Sequence, residues 1–541
     1  MNNIFKKLTV AAIVAPLFLT SCVEDTFPTS GVTSEQVSQN SKGVEAILSG
    51  MPAYMKKYHL WGSYSFNFGY PSLFIQMNVQ TQDMINNPTG YDWFSFWSEV
   101  STNLNSNMLM SQTNWYYLNF QVRAANDVIT AMEGAETSYA MGALAQAYLY
   151  RASTYLDMAR IYEFLPNETI SPITSAGNDV TGLTVPVNTP EMTAEQLSNN
   201  PRLPHKDMVT FLLNDIQTAI DLYDAGGEAP SSKVYPSKAV AYGLMARVHL
   251  WDENYPEASK YAKMAIDQAG ATPLTKEEWL STTDGFNNSS VSSWLWSIEY
   301  EQEDDPVNTS DCWTSFMSPE TPFGYGGQYA AYMCIDKSLY DRISNADFRK
   351  LAFKAPEGHP LSGREPWLNA SKAAEYEPYT SIKFRPAGGN LTTRKVAYAT
   401  AIPLMRIEEM YFIQAEAEAH NSPSTGKQLI ESFMQTYRYQ SYTCPFSDVD
   451  GVVDEIILQK RMEFWGENTS FFDFKRLDMD VIRAYPGTNW PDTQRFNTNG
   501  RPGWMNWPFV DYEGEFNLGV RGYLNPNVGD QWTPITDESQ E

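Results

Sequence analysis

The run YGLMARVHLWDENYPEASKYAKMA, Tyr242 to Ala265, has the outline of a helical hairpin. Tyr242, Met245 and Ala246 recur at helical spacing, Tyr255-Pro256 interrupts the period, and Ala258, Ala262 and Ala265 carry a second stripe. Small residues spaced this way let two antiparallel helices approach closely. One hairpin cannot bury its own apolar face, so neighbours of the same kind are required. Candidate partners are the pairs near 116–133 with 139–163, 207–224 with 238–251, and 406–420 with 425–438. In the 207–224 segment, Met208, Phe211, Leu212, Ile216, Ala219, Ile220 and Tyr223 form the stripe, and Gly226-Gly227 ends it. Thr193-Ala194-Glu195-Gln196 and Thr275-Lys276-Glu277-Glu278 read as capping boxes.

The hairpin resembles a tetratricopeptide repeat, a unit of about 34 residues. Between such helices the character of the chain changes. Residues 58–115, 272–400 and 484–535 are rich in Gly, Pro, Asn and aromatics and lack a sustained helical period. Long loops on a rigid scaffold are where binding usually sits. Trp294 and Trp296, spaced by two, suggest one face of a strand.

Composition excludes several functions. Against 38 Lys+Arg stand 64 Asp+Glu, a formal charge of −26, which would repel a phosphate backbone. Aromatics make up 14% and charged residues only 19% of the chain, so it is not a disordered protein. No apolar run reaches the ~20 residues of a membrane-spanning helix. At the N-terminus, Lys6 and Lys7 precede a mostly apolar stretch, Leu8 to Leu19, and then Thr20-Ser21-Cys22. This order reads as a lipoprotein signal cut before Cys22, which then carries the lipid. Cleavage removes both lysines and takes the charge to −28. Residues 1–21 are thus expected to be the leader, 22–40 a flexible tether, and 41–541 one domain. Its scaffold is expected at about 41–60, 116–270 and 402–480, with ligand-binding excursions at about 61–115, 272–400 and 484–535. Of the remaining cysteines, Cys312 and Cys334 could bridge, but three ordinary buried thiols, Cys444 included, is the preferred reading.

Three further motifs carry a family resemblance. Residues 145–166, with Arg151-Ala152 and Pro166, are similar to a helix of the SusD/RagB lipoproteins, although Glu163 stands where that family usually has Gly. Residues 402–417, IPLMRIEEMYFIQAEA, resemble the family's most recognisable motif through Arg406, Glu409, Tyr411 and Ala415-Glu416-Ala417. Residues 461–476 resemble the next, through Arg461, Glu463, Phe464, Glu467, Asp473 and Arg476, with Asn468 and Thr469 where Gly and Arg are common. Residues 490–541 depart from the family's usual ending. The resemblance implies a mostly α fold: a scaffold of tetratricopeptide-like helix pairs with long irregular excursions and a few short strands. It also implies a surface-exposed outer-membrane lipoprotein that binds oligosaccharides and passes them to a SusC-like TonB-dependent transporter docked on its helical face. It implies a binding protein and not an enzyme.

The motif charges are expected to be paired across helix contacts and to determine the fold rather than contact ligand. A sugar needs aromatic faces for its C–H surface and polar partners for its hydroxyls. Asp83, Asn86, Tyr91, Asp92 and Trp93 alternate these types, and an equivalent loop resembles part of the family's ligand site. Asn308, Asp311, Trp313, Tyr325 and Tyr329 form a second candidate, and Arg364 with Trp367 a third. The scattered histidines give no zinc spacing, and no nucleophile elbow or P-loop is present. No cofactor is expected. Acidic runs at 301–311 and 448–454 leave calcium open, though neither has the full twelve-residue loop pattern. Two other functions remain: peptide or glycopeptide binding, which the acidic surface would suit, and surface glycoside hydrolysis by an unrecognised carboxylate pair.

Overall fold

The computed structural model describes residues 41–58, 64–90, 93–134 and 136–536. The leader, Cys22 and the tether lie outside the described residues. The frame is a stack of helices: α1 (Leu109–Ala131), α2 (Ser138–Tyr162), α3 (His205–Asp224), α4 (Lys238–Trp251), α5 (Tyr255–Ala269), α6 (Ile407–Asn421), α7 (Pro423–Tyr437) and α8 (Val449–Glu463), followed by the short α9 (Ser470–Arg476). From α1 to α8 each helix packs on the next, including α5 on α6, although residues 270–406 separate those two in the chain. The loop-rich segment therefore leaves the stack at one layer and rejoins it at the next. Among the described residues no helix is long and apolar enough to cross a membrane.

Local chemistry explains these boundaries. Pro256 sits in the first turn of α5, where its missing N–H breaks no helical bond, and Gly270 closes the helix at φ +56°. Ala258, Ala262 and Ala265 are wholly buried and leave no bulk to hold α4 away. Close approach of α6 and α7 depends on Gly426, where a Cβ would lie 2.5 Å from that of Ala419. Both expected capping boxes form. α8 begins at Val449, earlier than its apolar period suggests, because Asp448 accepts from Gly451 N at 3.0 Å and caps it. α1 likewise begins at Leu109 rather than near 116. Its buried face includes Asn114, bonded to Gln76, and Gln121, bonded to the Met51 carbonyl, so the apolar pattern there is broken.

Two short antiparallel ribbons interrupt the excursions. β1 (Met84–Asn86) pairs with β3 (Met333–Ile335), and β2 (Trp294–Glu299) with β4 (Ala401–Arg406), which runs straight into α6. Trp294 and Trp296 are both buried on β2. Cys312, Cys334 and Cys444 are buried free thiols, so the Cys312–Cys334 bridge is not made. Burial pushes the Cys312 and Cys334 thiols up to about 12.

The motif charges form a closed lattice inside this frame. Glu463 accepts from Arg438 at 2.6 and 2.7 Å, from Arg349 at 3.0 Å and from Arg406 at 3.2 Å. Glu467 takes Arg406 at 2.8 Å and Lys383 at 2.7 Å, and Asp347 chelates Arg349. Burial alone would raise the Glu463 pKa, but Arg438, Arg406 and Arg349 hold it far below the usual carboxylate range. Glu409 pairs with Arg247 on α4, and Arg151 on α2 pairs with Asp215 on α3. Each pair ties one layer of the stack to another.

Glu163 is buried and faces His205. Its carboxylate accepts from Trp251 Nε1 at 3.2 Å and lies 2.8 Å from His205 Nδ1, while His205 Nε2 lies 3.1 Å from Asp252. Lys206 also reaches Asp252 at 2.5 Å. Burial opposes the imidazolium, yet Glu163 and Asp252 raise its pKa above the ordinary value of 6.5. The stability it adds is therefore complete below that ordinary value and is lost as pH rises through the raised folded-state value. Thermal melts of His205→Gln should fall furthest below the parent near pH 6 and converge on it near pH 9. An equal gap at both would show that the ring contributes packing alone.

Candidate ligand-binding site

Two of the aromatic segments singled out from the sequence are brought together. Pairing of Asn86 with Met333 and Met84 with Ile335 sets the loop after β1 beside the segment before β3. Asn87 Nδ2 then donates to the Ala330 carbonyl at 2.9 Å. Beneath them Phe94 meets Phe316 edge to face at 4.9 Å, and Phe68 stacks on Phe316 at 5.9 Å.

A shelf of rings, made of one cluster on each segment, adjoins this floor. Trp93 is half-buried among Phe66 at 5.2 Å, Tyr64 at 5.6 Å and Phe96 at 5.7 Å; Tyr64 and Phe96 are 38% and 36% exposed. On the opposite segment Tyr325 lies flat against Phe316, with centroids 4.6 Å apart and planes at 4°. Tyr329, 40% exposed, is 6.0 Å from Tyr325. Asp311 locks this side: its two carboxylate oxygens accept from Tyr325 at 3.1 Å and from Tyr58 at 3.0 Å. Burial raises the Asp311 pKa, and the two tyrosine hydroxyls offset part of that rise.

Next to the Asn87–Ala330 bond is a cleft of about 240 Å³, walled by Ile85, Asn87, Tyr332, Glu377, Tyr379 and Asn489. From its Tyr332 wall the aromatic contacts continue outward. Tyr332 meets Tyr376 at 5.9 Å, and Tyr376 stacks on Trp367 at 5.4 Å. Trp367 is half-buried and Arg364, on the same loop, is exposed.

Several expected contact residues turn out to serve the interior. Asp83 is fully buried and chelated by Arg461 at 3.0 and 3.2 Å, because an unpaired carboxylate there would be severely destabilising. Trp313 is buried with its ring against Phe384 at 5.0 Å and Phe74 at 6.2 Å. Asn86 is buried on β1, its carbonyl accepting from Gln494. Those three corrections share one cause: strand pairing and helix packing turn these side chains inward. Asn308 stabilises a turn, its carbonyl accepting from Arg394 at 2.6 Å and its amide donating to Glu303 O at 3.1 Å. Tyr91 and Asp92 lie outside the described residues.

Sequence reading does not point to Tyr58, Phe96 or Tyr376, and does not mark Tyr64 or Phe66 as contacts. Each is one aromatic among many in a loop, and only the fold reveals which of them share a surface. Another open groove, about 480 Å³, is lined by Asp284, Glu299, Glu301 and Glu303. Its single ring, Tyr300, is buried, so it offers no stacking face. In the acidic run at 301–311, Asp304 accepts from Glu301 N at 2.7 Å and pairs with Lys56 at 2.8 Å. Among the described residues no group of three or more His, Cys, Asp or Glu is placed to hold a metal.

Comparison with known proteins gives a consistent pattern. Residues 314–525 match the model of the SusD family. SusD-like protein P2 of Formosa agariphila is 22% identical over 359 residues, 62% of this chain and 65% of that protein, so the match spans less than two thirds of the relative. A solved SusD-like carbohydrate binding protein from Bacteroides vulgatus ATCC 8482 superposes with a TM-score of 0.70 at 20% identity, over 90% of this chain and 98% of the other. A second SusD superfamily structure from the same organism gives 0.67 at 16% identity, over 91% and 100%.

Proposed function

We propose that this chain, which belongs to the SusD/RagB family, is a surface lipoprotein that captures oligosaccharides and delivers them uncleaved to a SusC-like TonB-dependent transporter. The observation that carries the reading is the shelf of Tyr64, Trp93, Phe96, Tyr325 and Tyr329 beside a cleft edged by Asn87 and Glu377. Pyranose C–H faces pack on such rings, and rigid aromatics lose little entropy on binding. Amide and carboxylate groups at the cleft rim suit sugar hydroxyls, and the Asp311 lock holds Tyr325 in place before ligand arrives. An acyl chain on Cys22 would hold the protein at the outer membrane, with the 22–40 segment giving it reach.

The test is a glycan array, with peptides and glycopeptides included, probed with the soluble fragment lacking residues 1–40. Selective retention of oligosaccharides, with no release of reducing ends on incubation, is the expected result. Selective retention of peptides would replace the sugar reading, and steady release of reducing ends would make the protein a hydrolase.

A further inference from the structure

The cleft beside the shelf is poor in free polar groups. Asn489 is engaged at both ends of its amide: it accepts from Lys337 N at 2.8 Å and donates to the Ile335 carbonyl at 3.0 Å. The Tyr332 hydroxyl accepts from Glu377 N at 3.4 Å, and Tyr379 N donates to the Lys354 carbonyl at 2.7 Å. Pro378, between them, has no N–H. Cys334, its thiol 3.7 Å from the Thr380 hydroxyl, completes the wall with Ile85, Pro378 and Pro491. Tyr379 stands at φ +72°, a strained backbone for a bulky residue, and is held there by its bond to Lys354 and by Ile335 N, which donates to its carbonyl at 3.0 Å. The wall is thus fixed before any ligand arrives.

Acceptors remain at the mouth. Asn87 has given its Nδ2 to Ala330, which leaves Oδ1 for a ligand, and Glu377 is exposed. A solvated carboxylate of this kind needs no cationic partner. An apolar cavity of about 150 Å³ holds one benzene ring, so a cleft of about 240 Å³ admits one six-membered sugar. A hydroxymethyl group pressed against Ile85, Cys334 and the two prolines would lose its water and find no new partner. A methyl group there loses no hydrogen bond and gains apolar contact. Hydroxyls on the same ring would stay at the mouth and donate to Glu377 and Asn87.

Resting on the oligosaccharide reading above, we propose that the cleft is a subsite for a 6-deoxyhexose residue. Its C6 methyl packs on Ile85, Pro378 and Pro491, and the next sugar of the chain lies on the shelf beyond the Asn87–Ala330 bond.

Calorimetry on the full chain with matched oligosaccharides tests this. One pair ends in L-fucose or L-galactose, the other in L-rhamnose or L-mannose, and the members of each pair differ only by the oxygen on C6. In at least one pair the 6-deoxy member should bind about 10- to 100-fold more tightly, the discrimination an apolar pocket achieves against an added hydroxyl. Pro378→Ser, which puts a hydroxyl on the wall, should narrow that gap. Equal affinity within both pairs overturns the subsite and leaves oligosaccharide capture standing, as does binding confined to other oligosaccharides. Retention of no oligosaccharide at all, here and on the array, removes the reading on which the subsite rests. A gap unchanged in Pro378→Ser moves the preference out of this cleft. If that variant fails to fold, a crystal structure of the parent with the tighter ligand decides, and a methyl group outside the cleft overturns the proposal.

Discussion

Glu463→Ala is expected to lower stability by about 3–5 kcal/mol, the usual penalty for removing one partner of a buried ion pair. Glu463 is wholly buried, and its two oxygens engage Arg349, Arg406 and Arg438. Truncation strands positive charge in the interior, since among the described residues Asp347, Glu408 and Glu467 are left to balance these arginines and Lys383. Arg406→Ala should destabilise as well, by removing one cationic partner from each of Glu467, Glu463 and Glu408. Denaturant melts measure the loss, and the ligand preference of whatever remains folded should be unchanged. A variant with unchanged melting and altered ligand preference would assign the lattice to binding and not to the fold.

The second large effect concerns the shelf. Trp93→Ala and Tyr329→Ala should each weaken oligosaccharide binding by about 1–3 kcal/mol, or roughly 5- to 150-fold in Kd. Tyr329 is 40% exposed, so its loss should leave stability within about 0.5 kcal/mol of the parent, whereas the loss of half-buried Trp93 with its three ring contacts should cost about 1–2 kcal/mol. Trp313→Ala is the contrasting control. Its ring is enclosed by Phe74 and Phe384, so it should lose stability by about 3–5 kcal/mol. Calorimetry against a ligand found on the array reads the first pair, and thermal melts read the third. Undiminished affinity in both Trp93→Ala and Tyr329→Ala would remove the shelf from the binding site.

Much of the frame could be read before any coordinates. Helical periods located α3 to α7, two capping boxes were legible as four-residue strings, and the motif charges were expected to pair. The errors share one origin. α1 hides its first two turns because Asn114 occupies a buried position there, and its hydrogen-bond partner, Gln76, lies far away in sequence. Asp83 looked like a ligand contact because an acid in an aromatic loop suits a sugar; its true partner, Arg461, comes from the other end of the chain.

By itself, then, the order of residues determined the repeating helix pairs, the turn chemistry that bounds them and the identity of the motif charges, because each depends on spacings of a few residues. Which of 74 aromatic residues face solvent together, and which acids are consumed by internal arginines, was decided only in three dimensions. The ribbon of β1 and β3 and the contact of Phe94 with Phe316 join segments more than two hundred residues apart in the chain. Surfaces assembled by such long-range packing leave no periodic trace along the sequence.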